Sequence, residues 1–98
     1  MKDTISKDFL SEIRMPVVSR FYGIIIKIFF FKKEHNPPHF HAIYGEYSGI
    51  FNMKTLEMMD GDLPKEAKRL IKKWAKNYKD DLMDIWNSQN FRELPWKE

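Results

Sequence analysis

The sequence predicts an α+β fold, in which a small antiparallel sheet of three to four strands packs against a long C-terminal amphipathic helical segment. Four short segments between residues 19 and 59 are rich in β-branched and aromatic residues, which favour strands. After residue 63, apolar residues recur with the 3.6-residue period of a helix. The chain has 98 residues, 43% of them hydrophobic, which is enough apolar material for one core. We therefore expect a single α+β domain over residues 15–90.

Residues 1–14 precede this domain as an N-terminal extension with a short helix. Ser6 is a suitable N-cap residue. Apolar residues lie at helical spacing around it: Ile5, Phe9, Leu10 and Ile13. Because the residue before a proline disfavours the helical conformation, Pro16 is expected to end this helix at Arg14.

The first predicted strand covers residues 19–32. Alternation along this strand places three isoleucines on one face and Lys27 on the other. Residues 33–38 cannot continue the strand because their two consecutive prolines donate no backbone N–H. We expect this stretch to be a rigid connection.

Three shorter strands are predicted after the connection. Residues 39–44 and 47–53 form a hairpin through a tight turn at residues 45–46. Residues 56–59 form a fourth strand, which residues 60–61 end because Asp-Gly is a turn signal.

The helical segment is predicted to begin with Asp62 as a cap and Pro64 in its first turn. One apolar stripe follows: Ala67, Leu70, Ile71, Trp74, Ala75, Tyr78, Leu82, Ile85 and Trp86. Such a stripe packs against the core. Three aspartates, at positions 80, 81 and 84, would be unfavourable near the negative end of one long helix but favourable at the start of a second. We therefore expect the segment to break between Asn77 and Asp80.

Residues 91–98 are predicted to form an extended C-terminal tail. This stretch contains Pro95 and has no helical period. Three apolar side chains in the tail are expected to dock on the domain: Phe91, Leu94 and Trp96.

Composition excludes several classes of protein. Without cysteine, the chain has no disulfide framework, thiolate metal site or cysteine nucleophile. Its most apolar stretch, residues 21–31, is far shorter than the roughly 20 residues that span a bilayer. The first residues lack the apolar region of a secretory signal. These observations predict a cytoplasmic protein that does not enter a membrane.

Three histidines form the pattern H-x3-H-x-H at positions 35, 39 and 41. His39 and His41 lie two residues apart on a strand, so their imidazoles point to one face and are suited to sharing a divalent metal ion. His35 would reach this metal from the connection. Alternatively, these residues fix a structural turn through side-chain hydrogen bonds. No other cofactor is indicated.

The same histidines are candidates for acid–base chemistry on RNA, because an imidazole titrates near neutrality. Lys27 and Arg20 would supply the cation that such a site needs. A histidine-dependent ribonuclease or a metal-binding hydrolase is therefore one hypothesis for the function.

A basic surface lies on the helix opposite its apolar stripe. Its residues, which we call the lysine face, are Lys65, Lys68, Arg69, Lys72, Lys73 and Lys76. Glu66 alone offers a compensating charge within it. The lysine face is either a solvated surface or a contact for RNA, DNA or an acidic partner. Neutralisation by the three aspartates that follow would favour a purely structural or regulatory role.

Residues 15–23 (MPVVSRFYG) and 35–42 (HNPPHFHA) resemble the opening and signature of a bacterial family, domain of unknown function 4160. The resemblance continues through residues 60–64 (DGDLP), Trp74-Ala75 and Trp86, to about Asn87. This family has no established activity, and its members are often encoded beside a second small protein. The resemblance therefore implies a small interaction module that is one component of a toxin–antitoxin-like pair, with a protein partner encoded nearby. RNA or DNA binding and homo-oligomer formation are further expectations.

Overall fold

A computed structural model describes residues 16–28 and 37–96 of the chain. Within these ranges five antiparallel strands form one sheet, in which each strand lies beside the next along the chain. The strands are β1 (Val17–Phe21), β2 (Ile24–Lys27), β3 (His39–Tyr44), β4 (Tyr47–Asn52) and β5 (Met58–Asp62). Two helices follow the sheet, α1 (Lys65–Asn77) and α2 (Lys79–Ser88). The predicted α+β class is confirmed.

The prediction of one continuous strand over residues 19–32 is wrong. Its described part belongs to a hairpin of β1 and β2, in which Tyr22 and Gly23 form the turn with φ values of 50° and 79°. A tight hairpin turn that matches the twist of its strands needs positive φ at both central residues, and here only one of them is glycine. The residues of this turn therefore give only a weak sequence signal for a hairpin, and they lie within a continuous apolar stretch. The extra strand raises the number in the sheet to five.

The last strand is displaced along the sequence from its predicted position. Residues 56–59 were expected, whereas β5 is Met58–Asp62. Leu56 belongs to the turn instead, with φ 64° and its N–H donating to the Asn52 carbonyl at 2.7 Å. The Asn52 side chain holds the same turn by accepting hydrogen bonds from two further backbone N–H groups. The Asp-Gly pair, read as a turn signal, lies inside the strand.

The two helices meet at Tyr78, within the predicted break. Asp80 and Asp81 lie in the first turn of α2, where the helix dipole favours negative charge. The start of α1 differs from the prediction. Pro64 occupies the N-cap position without a side-chain cap, because Asp62 belongs to β5.

The core lies between the helices and one face of the sheet. Trp74 of α1 is fully buried, with its ring centroid 5.4 Å from that of Phe21 and 6.1 Å from that of Phe40. Trp86 of α2 and Tyr78 are also buried, as the apolar stripe predicted. Strand alternation then directs the neighbours of Phe40, including His41, to the opposite face of the sheet.

The C-terminal tail docks along β1. The Leu94 N–H donates to the Val18 carbonyl at 2.7 Å, and the Leu94 side chain is buried. Trp96 stacks on Phe21 with ring centroids 4.8 Å apart. Phe91, which was also expected to dock, is 41% exposed.

Several predicted features lie outside the described residues. They are the helix of residues 1–14, the connection at residues 33–36 with His35, and the end of the first predicted strand. Neither α1 nor α2 is long and apolar enough to cross a membrane.

Candidate functional site

Two rows of side chains cross the sheet on the face turned away from the helices. Residues paired across neighbouring strands point to the same side of a sheet. In the first row, the strand register aligns Lys27, His41, Ile50 and Asp60 on β2 to β5. In the second row it aligns Arg20, Ile25, Ile43, Ser48 and Asp62 on β1 to β5. We call these nine residues the helix-distal face.

Charge is segregated across the helix-distal face. Arg20 and Lys27 lie on β1 and β2, whereas Asp60 and Asp62 lie on β5 at the opposite edge of the sheet. Half-buried isoleucines occupy the strands between them. With about 4.8 Å between neighbouring strands, β2 and β5 lie about 14 Å apart. The face therefore has a cationic edge, an apolar centre and an acidic edge.

His41 lies beside Lys27 in the strand register and is half-buried. Burial lowers the pKa of His41 below its ordinary value of 6.5, and the neighbouring His39 and Lys27 lower it further. The imidazole is therefore neutral at neutral pH. In that state it offers one hydrogen-bond donor and one acceptor, and it is able to accept a proton.

His39 has a different environment from His41, although their ring centroids are only 5.4 Å apart. It is 8% exposed, and its ring centroid lies 5.1 Å from that of Trp86. Its Nδ1 lies 2.9 Å from the Pro37 carbonyl oxygen. Because a carbonyl oxygen only accepts, the Nδ1 of His39 carries the hydrogen. His39 therefore contacts both Pro37, at the end of the connection, and Trp86 of α2.

A metal site is not completed by the described residues. Among them, no group of three or more His, Cys, Asp or Glu side chains is arranged to hold a metal ion. His35 lies outside this set, so the predicted site of His35, His39 and His41 stays a prediction.

A concavity of about 390 Å³ opens on the helix-distal face. Its lining combines charged, hydroxyl and apolar groups: Lys27, His41, Ile43, Ser48, Gly49, Ile50, Asp60 and Gly61. Small-molecule sites have volumes of roughly 300 to 1,000 Å³ and mix apolar walls with a few polar groups. Sequence reasoning assigned Asp60 and Asp62 to a turn and a helix cap. Their i, i+2 spacing was the available signal that both point to one face of a strand.

The lysine face is on the other side of the molecule, on the exposed surface of α1. Arg69 forms an ion pair with Glu66, and the Lys72 Nζ lies 3.3 Å from the Glu57 Oε1. Within the described part of the chain, the remaining members of the face form no ion pair: Lys65, Lys68, Lys73 and Lys76.

The aspartates of α2 do not neutralise the lysine face. Asp81 and Asp84 instead form ion pairs with Arg92 of the tail. The Arg92 guanidinium nitrogens lie 2.7 Å from the Asp81 Oδ1 and 2.9 Å from the Asp84 Oδ2. Their carboxylates are thus directed to a cation that follows α2.

The family model described as Domain of unknown function (DUF4160) matches residues 23–87, more than half of the chain. The chain belongs to this family. The DUF4160 region begins at the turn between β1 and β2 and ends in α2. It contains His41, Lys27 and the whole lysine face, whereas Arg20 and the tail lie outside it. No curated protein and no solved structure matches the chain.

Proposed function

We propose that this DUF4160 protein is a small interaction module that binds RNA or DNA through the lysine face. The observation that carries this proposal is the lack of ion-pair partners for four of the six basic residues on that face, within the described part of the chain. A cationic surface without internal counter-charges gains free energy by releasing the counterions of a polyanion.

The rigidity of the supporting helix favours the same function. Ala67, Ile71 and Trp74 anchor α1 on the sheet through buried side chains. The lysine side chains therefore project from a fixed backbone. A fixed array of cations suits the regular charge of a phosphate backbone, which it would contact without reading base sequence.

A protein partner encoded nearby belongs to the same proposal. Its basis is the family resemblance, which implies a pair of small proteins of toxin–antitoxin type. Co-expression with the neighbouring gene product should give a complex that survives purification, and a growth test of each protein alone would assign the toxic member. Recovery of two separate proteins would contradict the pairing.

Fluorescence anisotropy with labelled RNA and DNA tests the lysine face. The variant Lys65→Gln, Lys68→Gln, Lys76→Gln should bind more weakly than the wild type. The slope of log K against log salt concentration should fall by about 2 for single strands, since each lost phosphate contact contributes about 0.7.

A control variant removes the same charge elsewhere: Lys54→Gln, Lys79→Gln, Arg92→Gln. It should retain most of the binding, because these residues lie outside α1. Equal weakening in the two variants would attribute binding to net charge alone. If the wild-type protein shows no salt-sensitive binding of RNA or DNA at low ionic strength, the lysine face is only a solvated surface.

A histidine-dependent ribonuclease is the second candidate, favoured by the placement of a neutral His41 beside Lys27. His39 is a weaker candidate for the second imidazole because its Nδ1 is committed to Pro37. RNA cleavage by the wild type that disappears in His41→Gln would support this function, and equal rates would exclude His41 from the chemistry.

A further inference from the structure

The concavity on the helix-distal face is separate from the lysine face, because the sheet lies between it and α1. We propose that it binds a nucleotide whose base carries an exocyclic amine, such as adenosine monophosphate. The phosphate lies against Lys27 and His41, and the amine donates to Asp60. The base rests on Ile43 and Ile50. This site is independent of the nucleic-acid contact proposed for α1.

The cationic edge is suited to a phosphate. Lys27 and His41 are direct neighbours across β2 and β3, so one phosphate group is able to reach both side chains. The Lys27 ammonium group supplies the charge and donates to the phosphate, and the His41 ring lies beside it. Arg20, at the same edge of the sheet, adds positive potential.

The acidic edge is suited to an amine. One oxygen of Asp60, Oδ1, accepts the Gly61 N–H at 2.9 Å, which orients the carboxylate. Among the described residues the other Asp60 oxygen has no hydrogen-bond partner, so it is able to accept from a ligand. Ser48 adds a hydroxyl group to the lining beside it.

The span between the two edges selects the size of the ligand. Because β2 and β5 lie about 14 Å apart, a single amino acid is too short to contact both ends. A nucleoside monophosphate carries its phosphate and its exocyclic amine at opposite ends. The long Lys27 side chain shortens the distance to Asp60 that a ligand must cover. A nucleoside monophosphate is long enough to cover what remains.

The centre of the concavity favours a flat base over a peptide of the same length. β3 and β4 are interior strands whose backbone groups are used by neighbours on both sides. The amides of a bound peptide would lack partners there, and unpaired buried amides are costly. A base presents its apolar face to Ile43 and Ile50 and keeps its polar groups at the edge.

Isothermal titration of the full chain with three probes tests this assignment: adenosine monophosphate, inosine monophosphate and adenosine. The first should bind most tightly, because inosine monophosphate lacks the amine and adenosine lacks the phosphate. Asp60→Asn should weaken adenosine monophosphate binding about tenfold or more and abolish the preference over inosine monophosphate. Lys27→Met should weaken it similarly and abolish the preference over adenosine.

Matched controls place the same changes outside the concavity. Lys79→Met and Asp80→Asn remove one charge of each sign from exposed helix positions and should leave the affinity unchanged. An RNA hexamer with and without a 5′-phosphate distinguishes a strand terminus from a free nucleotide as the source of the ligand. A preference for the phosphorylated over the unphosphorylated hexamer that Lys27→Met abolishes would identify the terminus, and equal binding of the two hexamers would identify the free nucleotide.

Three outcomes would overturn the inference: no saturable binding of adenosine monophosphate at millimolar concentration, equal binding of all three probes, or equal loss in Lys27→Met and Lys79→Met. The variant with three glutamines on the lysine face should keep its affinity for adenosine monophosphate. If the wild type binds RNA but not adenosine monophosphate, this inference is contradicted and the proposed function of the lysine face is not.

Discussion

At the residue scale, His39 and His41 are neighbours on one strand with different surroundings. His39 is buried between Pro37 and Trp86, and its Nδ1–H is used by the protein itself. His41 is half-buried and lines the concavity. A shared direction on a strand therefore does not give the two imidazoles a shared role.

Separate substitutions should distinguish the two histidines. His39→Gln should lower the free energy of unfolding by about 1–3 kcal/mol, because it removes the buried donor to the Pro37 carbonyl. His41→Gln should change it by only about 0.5 kcal/mol. Chemical denaturation measures both values.

His39→Asn is the matched control, since its side-chain amide nitrogen is able to occupy the position of Nδ1. It should lose less stability than His39→Gln. Equal losses in the two variants would show that the ring contact with Trp86, and not the hydrogen bond, holds His39 in place.

The pKa of His41 predicts how stability depends on pH. Because burial and the neighbouring His39 and Lys27 lower this pKa in the folded state, the unfolded chain binds a proton more readily. The contribution of His41 to stability is therefore complete above pH 6.5 and is lost as the pH falls from 6.5 through the folded pKa.

NMR titration of the His41 ring measures this shift directly. Lys27→Met should raise the pKa of His41 part of the way towards 6.5, because burial, the larger cause, remains. A pKa at or above 6.5 in the wild type would contradict the half-buried environment of the ring.

At the element scale, β5 depends on a glycine for its pairing with β4. Gly61 has φ 112° and is paired with Gly49. A Cβ at position 61 would lie 2.5 Å from the Gly49 Cα and would overlap the Ser48 carbonyl oxygen. Gly61 therefore provides both the left-handed backbone conformation and the close approach of the two strands.

Gly61→Ala should destabilise the protein more than Gly45→Ala. Both positions have positive φ, so each variant carries a strain of about 1–2 kcal/mol. A Cβ at Gly45 meets nothing within 4 Å, whereas the overlap at Gly61 adds to the strain. Thermal melts compare the two, and similar melting temperatures would show that β5 shifts without cost.

At the scale of the whole molecule, the domain presents two distinct polar surfaces, one on the exposed side of α1 and one on the far side of the sheet. The layer between them consists of the buried faces of the sheet and helices. Ligands bound as proposed on the two surfaces would therefore not overlap.

Removal of residues 1–14 should leave cooperative unfolding intact, because the family match begins at Gly23 and the described strands start at Val17. Circular dichroism melts of the full and shortened chains measure this. Removal of residues 93–98 is the comparison. It should lower the melting temperature more, because buried Leu94 and the stacked Trp96 are lost. A loss of cooperativity on N-terminal deletion would make Phe9, Leu10 and Ile13 part of the core.

The sequence by itself determined the features that repeat along the chain. The 3.6-residue stripe identified the buried face of both helices, and the aspartates identified the break between them at Tyr78. The β3–β4 hairpin followed from strand alternation and the turn at residues 45–46. These features depend on neighbours within a few residues, whose periodicity is visible in one chain.

Only the tertiary structure decided the features that depend on pairing between distant residues. The register aligns Lys27, His41 and Asp60 on one face, although Asp60 was predicted to end a strand. The pairing of Asp81 and Asp84 with Arg92 likewise depends on how the tail packs against α2. Composition and spacing do not encode such contacts, because strand register and tail position are fixed by the packing of the whole core.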